Sequence, residues 1–386
     1  MRIAFSLIGE ERWTGGSHYL NNLLKALHYS SSVSIECVLC AGSKRSPEVE
    51  PLRTYLSEIV FDESFSRWSP AWLMRQLSIA AFDKDLVVER IFRRYGVEAV
   101  FHAGLFGSRF SPPCVNWIPD FQHLHMPEMF SGKERKLRDR YFRNLTRMCR
   151  RLVLSSECAR KDFEGAFPAY KKRVDILPFV AQVPENVYAY SPLDSLNSYN
   201  IPEKFFHLPN QFWKHKNHKI VVEALKILKE KRKTIIVVCT GNESDYRNPG
   251  YFESLKDSIA DNGLSAQMIL LGFVPVEHLH AMMRQSIAII NPSLFEGWST
   301  TVEEAKSLGK KTLLSDIPVH REQLPPGATY FDPNDPQDLA RKMSEIWEGT
   351  HAGPDLDMEK LARASKKLRA HAFADRFVQI MRKAIG

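Results

Sequence analysis

The sequence predicts an α/β protein of two doubly wound parallel-sheet domains facing a cleft, with a C-terminal helix returning to the first domain. Three observations carry this. Short apolar, strand-like runs alternate with helix-period segments from end to end, as in parallel sheets joined by crossover helices. An aperiodic stretch rich in Pro, Ser, Asn and Tyr, from about Val180 to Pro202, separates two such series. The chain's 386 residues also suit two domains at roughly 100–200 residues each. The expected boundaries are 1–182 for the first domain, 183–202 for a linker and 203–369 for the second, with 370–386 packing back on the first.

In the first half, Arg2–Ile8 reads as a buried strand, followed by a turn at Thr14-Gly15-Gly16-Ser17 and a helix from His18 to about His28. Val33–Leu39, Ala99–His102, Val115–Ile118 and Leu152–Ser155 read as strands, and Val174–Leu177 closes the series. In the second half, Phe205–Leu208 and Thr234–Cys239 flank a helix over Lys219–Lys229. Met268–Leu271, Ala288–Ile290, Thr312–Leu314 and Thr329–Phe331 follow, each separated by helix-period segments, and Leu356–Ile385 is helical. Ligands of such sheets sit at the carboxyl ends of the strands, so the loops after these strands are where chemistry is expected.

Composition narrows the function classes. With 44% hydrophobic and 25% charged residues the chain can bury a core, which excludes a disordered tail. Six scattered cysteines make no disulfide framework. Cys37-Val-Leu-Cys40 has a metal-type spacing but lies in a strand pattern without a second pair, so it reads as core. No run of about 18 apolar residues occurs, and the apolar start Met1–Ile8 lacks the length and cleavage pattern of a signal peptide; a cytoplasmic location is the expectation. No G-x-S-x-G, Walker, H-E-x-x-H or G-x-G-x-x-G sequence is present, which leaves hydrolase-elbow, P-loop, zincin and NAD readings without support.

The net charge of +8 (53 Lys/Arg against 45 Asp/Glu) is local. Residues 131–173 hold fourteen Lys/Arg and five Asp/Glu, an excess of nine. Part of it lies on a helical pattern with Leu137, Tyr141, Leu145 and Met148 on one stripe and Arg135, Lys136, Arg138, Arg140, Arg143 and Arg147 around it. Such a helix suits an anionic membrane surface or a polyanionic substrate. The plainer alternative is a solvated helix packed on its own domain. No nucleic-acid-binding signature accompanies the charge, so nucleic acid is not an expected partner.

The most informative stretch runs from Asn291 to Gly309. A strand, Ile287–Asn291, leads through a turn into a helix starting near Thr300, with Thr300 and Glu303 fitting a capping box and Gly309 the C-terminal stop. The helix start offers unpaired N–H groups and the hydroxyls of Ser299, Thr300 and Thr301, a phosphate site favoured by the macrodipole. Glu296 before the turn and Glu304 in the second helical turn could accept hydrogen bonds from sugar hydroxyls on either side of a diphosphate. The plain alternative is two surface glutamates near a cap.

Glu296 and Glu304 have E-x7-E spacing inside the run Pro292-Ser-Leu-Phe-Glu-Gly-Trp298, which continues as Gly309-Lys-Lys-Thr-Leu-Leu-Ser-Asp316 and Phe331-Asp-Pro333 and is preceded by Leu271-Gly-Phe-Val-Pro275 and Lys216-Asn217. With these residues the chain resembles the family-4 retaining glycosyltransferases of bacterial polysaccharide assembly, whose GT-B fold pairs two Rossmann-like domains. The likeness is strong in the second half and reaches Gly15-Gly16 and Pro119-Asp120 in the first. It implies that Glu304 holds the nucleotide ribose, that Glu296 touches the transferred sugar, and that the backbone over Gly297, Trp298, Ser299, Thr300 and Thr301 binds sugar and diphosphate. It further implies that Lys216 neutralises the leaving diphosphate and that the Phe273–Val274 backbone reads the base, while the Gly15-Gly16 turn is expected to let backbone amides approach the phosphates. Where relatives carry a second basic residue this chain has Pro209-Asn210-Gln211, so Asn210 and Gln211 supply donors and Lys214 or another cation the charge. Asp120 or His123 serves the donor–acceptor side. The lysine cluster could instead be a solvated helix start, and His123 a structural turn residue.

The function implied is metal-independent, cofactor-free transfer, with retention, from a GDP- or UDP-linked sugar to a glycan or lipid-linked acceptor. The location implied is cytoplasmic, with peripheral contact at the inner face of the plasma membrane. A nucleotide-sugar epimerase or phosphorylase of the same fold, and an inactive nucleotide-sugar-binding protein, are the alternatives.

Overall fold

A computed structural model describes residues 1–7, 14–30, 34–42, 49–102, 104–189 and 191–386. Its first sheet contains β1 (Arg2–Ser6), β2 (Glu36–Ala41), β3 (Glu58–Phe61), β4 (Ala99–Phe101), β5 (Cys114–Ile118), β6 (Arg151–Leu154) and β7 (Val174–Ile176), in the order β3-β2-β1-β4-β5-β6-β7. The second contains β8 (Phe206–Leu208), β9 (Val237–Cys239), β10 (Met268–Leu270), β11 (Ile289–Asn291), β12 (Thr312–Ser315) and β13 (Ala328–Phe331), in the order β10-β9-β8-β11-β12-β13. Neighbouring strands pair in parallel in both sheets. Parallel strands are covered by helices on both faces, so they need apolar side chains at successive positions. Ile3, Ala4 and Phe5 of β1 are accordingly fully buried. Cys37 to Cys40 are buried likewise, and burial pushes the Cys37 and Cys40 thiols up to about 12, as befits core. The strand order reverses between β1 and β4 and between β8 and β11, the places where doubly wound sheets open for ligands.

The chain forms two compact units: residues 1–121, 131–180 and 368–386, and residues 122–130 and 181–367. The first is filled by Val38, Phe92, Val100, Ile118, Phe121, Leu152 and Phe163. The end of the long helix Leu356–Ile385 joins it, with the Phe377 ring 5.9 Å from Phe5 and 5.1 Å from Phe101. The second is filled by Phe206, Leu208, Phe212, Val221, Leu225, Val237 and Leu313.

Three expectations need correction, and one strand goes unanticipated. The helix expected from His18 spans Thr14–Tyr29, so Gly15 and Gly16 lie in its first turn rather than in a loop. The segment 183–202 is not a free linker: Val183 packs with Met283, Ile289 and Leu308, and Leu196 with Phe205 and Val238. β3 was hidden because its four residues, Glu58-Ile-Val-Phe61, are too few to show a period. On the helix Gly132–Met148, Phe142 and Leu145 are buried while Leu137 and Tyr141 are exposed, so the apolar stripe is only half covered. The expected strand ends at Ile8 and Val33 fall outside the described residues. Among the described residues no helix is long and apolar enough to cross a membrane.

Candidate functional site

The site grows from the loops that follow β8 and β11 in the second unit. After β8 the chain passes Pro209 and Asn210, turns through the short helical segment Lys214–Lys216, and enters the helix His218–Glu230 through Asn217, whose φ of 57° is left-handed. Asparagine tolerates that region better than most residues. Its Nδ2 donates to the Pro333 carbonyl at 3.1 Å. After β11 the chain passes Asn291 to Trp298 and enters the helix Thr300–Leu308. The Leu294 N–H donates to the His215 carbonyl at 2.9 Å, which binds the two loops together.

That tie brings Lys216 and Glu296 into contact. The Lys216 Nζ donates to Glu296 Oε1 at 2.7 Å, and the Ser293 hydroxyl donates to the same oxygen at 2.7 Å. Only 14% of the lysine side chain and 9% of the glutamate side chain reach solvent. Burial by itself would raise the Glu296 carboxyl, but the Lys216 charge, the nearby His320 and the two donated hydrogen bonds outweigh it and bring it down to about 2. Burial holds His215 well below its ordinary value, helped by the Lys216 charge and opposed by that of Glu296. His320 is lowered by burial too, with Glu296 pulling the other way. The result is an ionised carboxylate and an ammonium, flanked by neutral histidines. His215 and His218 are buried, so the basic cluster is not a solvated helix start; only Lys214 and Lys219 are exposed.

The helix start differs from expectation. Its N-cap is Ser299, not Thr300: the Ser299 hydroxyl accepts from the Val302 N–H, and Asn291 Nδ2 donates to it at 2.9 Å. Glu303 does not reach back to a cap; it pairs with Lys306 at 2.8 Å and accepts from Gln323. The Thr301 hydroxyl donates to Asn210 Oδ1 at 3.0 Å, while Asn210 Nδ2 donates to Asn291 Oδ1 at 2.9 Å. Asn210, Ser299 and Thr301 therefore lock β8, β11 and the helix together, and their side chains are spent within the protein. Thr300 remains a half-buried hydroxyl in the first helical turn, beside Gly297 and Trp298, which are also half-buried. Gly309 takes the left-handed φ of 65° expected of the C-terminal stop.

The remaining expected residues are dispersed. Glu304 lies 3.6 Å from His280 on the helix Val276–Gln285. Phe273 is 83% exposed in the turn after β10, Val274 is buried, and Gln211 is half-buried. Gly15 and Gly16 belong to the first unit, as does Asp120, whose Oδ1 is 4.0 Å from Arg138 Nη2. His123 is buried in the second unit, its ring 6.3 Å from that of Phe130. His125 approaches Phe295 with ring centres 5.1 Å apart, placing this segment against the loop that carries Glu296.

Sequence reasoning missed Arg247, Ser293, His280 and His320. Arg247 lies among the rings of Trp213, Phe130 and Tyr246 at 5.3 to 5.5 Å and donates to Gln122 Oε1 at 2.9 Å. Its side chain is 7% exposed and lies 3.7 Å from Asp245, so the cation it brings to this part of the unit is already paired with a carboxylate, whereas Lys214 is exposed. No motif marks it, because only the fold brings it to Trp213, 34 positions earlier in the chain. Ser293 was legible as part of the Pro292-Ser-Leu-Phe-Glu run, without its role as a donor. Among the described residues no three His, Cys, Asp or Glu side chains gather as a metal would require.

Residues 197–368 match the model of the family described as glycosyl transferases group 1. The O-antigen chain mannosyltransferase RfbU of Salmonella typhimurium is 22% identical over 224 residues, and the match spans 56% of this chain and 56% of that protein, so the chain covers about half of this relative's length. Among solved structures, Anabaena Alr3699/HepE in complex with UDP-glucose superposes with a TM-score of 0.68 at 15% identity, covering 99% of each chain. The sucrose-phosphate synthase of Thermosynechococcus elongatus gives 0.65 at 13% identity, covering 99% of this chain and 98% of that one. The fold is thus GT-B, and the segment 197–368, which carries Asn210, Lys216, Glu296, Thr301 and Glu304, is the part of the chain that matches the model of the glycosyl transferases group 1 family.

Proposed function

We propose that the protein is a glycosyltransferase that moves a sugar, with retention, from a nucleoside-diphosphate sugar to a glycan or lipid-linked acceptor in surface-polysaccharide assembly. The observation that carries this reading is the Lys216–Glu296 pair at the carboxyl ends of β8 and β11, beside the first turn of the Thr300–Leu308 helix. Departure of a nucleoside diphosphate needs counter-charge where negative charge develops. Lys216 and the first-turn N–H groups supply it in a partly buried site, without a metal ion or cofactor. Glu296, ionised at neutral pH, accepts hydrogen bonds from the transferred sugar, and Glu304 does so from the ribose. The exposed turn at Phe273 offers its backbone to the base, and Asp120 or His123 serves the acceptor side.

Support comes from the family of the second unit, from the mannosyltransferase relative, and from the UDP-glucose-bound structural neighbour. The excess of nine positive charges over residues 131–173 favours an acceptor at an anionic membrane face, with the protein peripheral to it.

The test is a thermal-shift screen of UDP-, GDP-, ADP- and dTDP-sugars, since a ligand that binds the folded state raises its stability. Transfer or hydrolysis is then measured with the donor that shifts it. Lys216→Ala and Glu296→Ala are expected to keep the fold and lose transfer by roughly 100-fold or more. Unchanged turnover in either variant, or consumption of donor only by epimerisation or with inorganic phosphate, sinks the reading.

A further inference from the structure

The helix Pro70–Phe82 in the first unit is built inside out. Its one charged residue, Arg75, is buried: Nε donates to Asp85 Oδ2 at 2.7 Å and Nη1 to the Ser64 carbonyl at 2.6 Å. The opposite side, at Pro70, Leu73, Met74, Leu77, Ala80 and Ala81, follows helical spacing and is exposed. Leu73, Met74 and Leu77 expose 47%, 61% and 69% of their surface. The stripe is extended at both ends, by Trp68 and by Phe82, which are also exposed. Trp68 is held at a φ of 69°, a strained conformation for a bulky residue, and its ring lies 5.1 Å from Trp72 and 5.4 Å from the Arg67 guanidinium. Contiguous exposed apolar surface of this kind marks an interface.

Charge identifies the occupant. Asp83, which ends the helix, accepts hydrogen bonds from the Ser108 N–H and hydroxyl, and its carbonyl accepts from the N–H of the exposed Arg109 at 3.1 Å; the Ser108 hydrogen bonds first, and the charges of Arg147 and Arg109 after them, hold its carboxyl below the ordinary value. Arg147 belongs to the last turn of the Gly132–Met148 helix, whose exposed side carries Lys133, Lys136, Arg140 and Arg143 together with Leu137 and Tyr141. An uncharged apolar stripe capped by an indole and continuous with cations suits a bilayer of anionic lipids: the stripe enters the acyl boundary, the indole sits at the headgroups, and the cations meet phosphate. We infer that the Pro70–Phe82 helix is a lipid-inserting element that, with the basic helix, seats the first unit on an anionic membrane surface. The inference deepens the membrane-facing part of the proposed function and rests on it for the electrostatic attraction.

The experiment is co-sedimentation of the full chain with vesicles of phosphatidylcholine, with and without phosphatidylglycerol, at low and high salt. The variants are Leu73→Gln with Leu77→Gln, and Arg140→Gln with Arg143→Gln; all four positions are exposed, so the melting temperature is expected to stay close to that of the parent. Wild type is expected to bind anionic vesicles far better than neutral ones, and the leucine pair to lower that binding by roughly tenfold or more. The arginine pair is expected to weaken binding at low salt most. Equal binding by the leucine variant overturns the insertion role while leaving charge attraction standing. Absence of wild-type binding overturns both. Concentration-dependent dimers that the leucine variant abolishes, with no lipid binding, assign the stripe to a second copy and overturn the inference as well. Donor-induced thermal shift is scored separately, so failure of the glycosyltransferase reading is seen independently.

Discussion

Asn210 shows how a fold can engage a side chain that the sequence offers as a free donor. From the sequence it is a donor facing a diphosphate; in the fold both ends of its amide are used, on Asn291 and on Thr301. Hydrogen bonds across 81 and 91 positions leave no trace in local pattern. Asn210→Ala is expected to cost about 1–3 kcal/mol in chemical denaturation, because buried partners lose their mates. Combined with Thr301→Val, the loss should fall short of the sum, as for residues sharing one bond. Glu296 gives a pH prediction. Its carboxyl is depressed from its ordinary value near 4.5 to about 2, so the stability it contributes is complete above about 4.5 and lost as pH falls toward 2. In Lys216→Met the burial is no longer opposed by the ammonium, and the titration of Glu296, followed by carboxylate NMR, should move upward; a value still near 2 would show that Lys216 does not set it.

At the scale of the element, the Thr300–Leu308 helix was legible in nearly every respect except the identity of its cap. Both Ser299 and Thr300 satisfy the local rule, and Glu303 sits three residues after Thr300; the choice is made by Asn291 and Gln323, which hydrogen-bond Ser299 from elsewhere in the unit. Ser299→Ala should therefore cost about 1–2 kcal/mol, and Thr300→Ala less than about 0.5 kcal/mol in stability. Thr300→Ala should instead weaken donor binding in the thermal-shift assay. Equal stability losses in the two variants would return the cap to Thr300. The helix Pro70–Phe82 was not singled out from sequence, because its apolar residues alone do not say which of them face water.

At the scale of the molecule, the long C-terminal helix shares its length between the two units. Its earlier part pairs Arg363 and Lys366 with Glu185, and its end completes the aromatic cluster of Phe5, Phe101 and Tyr19. Phe377→Ala is expected to cost about 3–5 kcal/mol, from lost burial and the cavity left behind. Denaturant titration should show that loss in the transition of the first unit; a change under about 1 kcal/mol would mean the first unit does not rely on it. Segment 122–130 behaves oppositely to its place in the chain, clustering with the second unit, where Gln122 accepts from Arg247 and His125 meets Phe295.

By itself the sequence determined the α/β class, most of the thirteen strands found among the described residues, the terminal helix and the E-x7-E stretch, because each is written in periodicity, apolar runs or short spacing that neighbouring residues carry. Only the tertiary structure decided that Lys216 meets Glu296 across 80 positions, that Arg247 comes to Trp213 and Gln122, and that the Ser299 and Thr301 side chains hydrogen-bond within the second unit. Those outcomes depend on which loops the sheet order lays side by side, and long-range pairing of that kind is a property of strand order, not of any local stretch of residues.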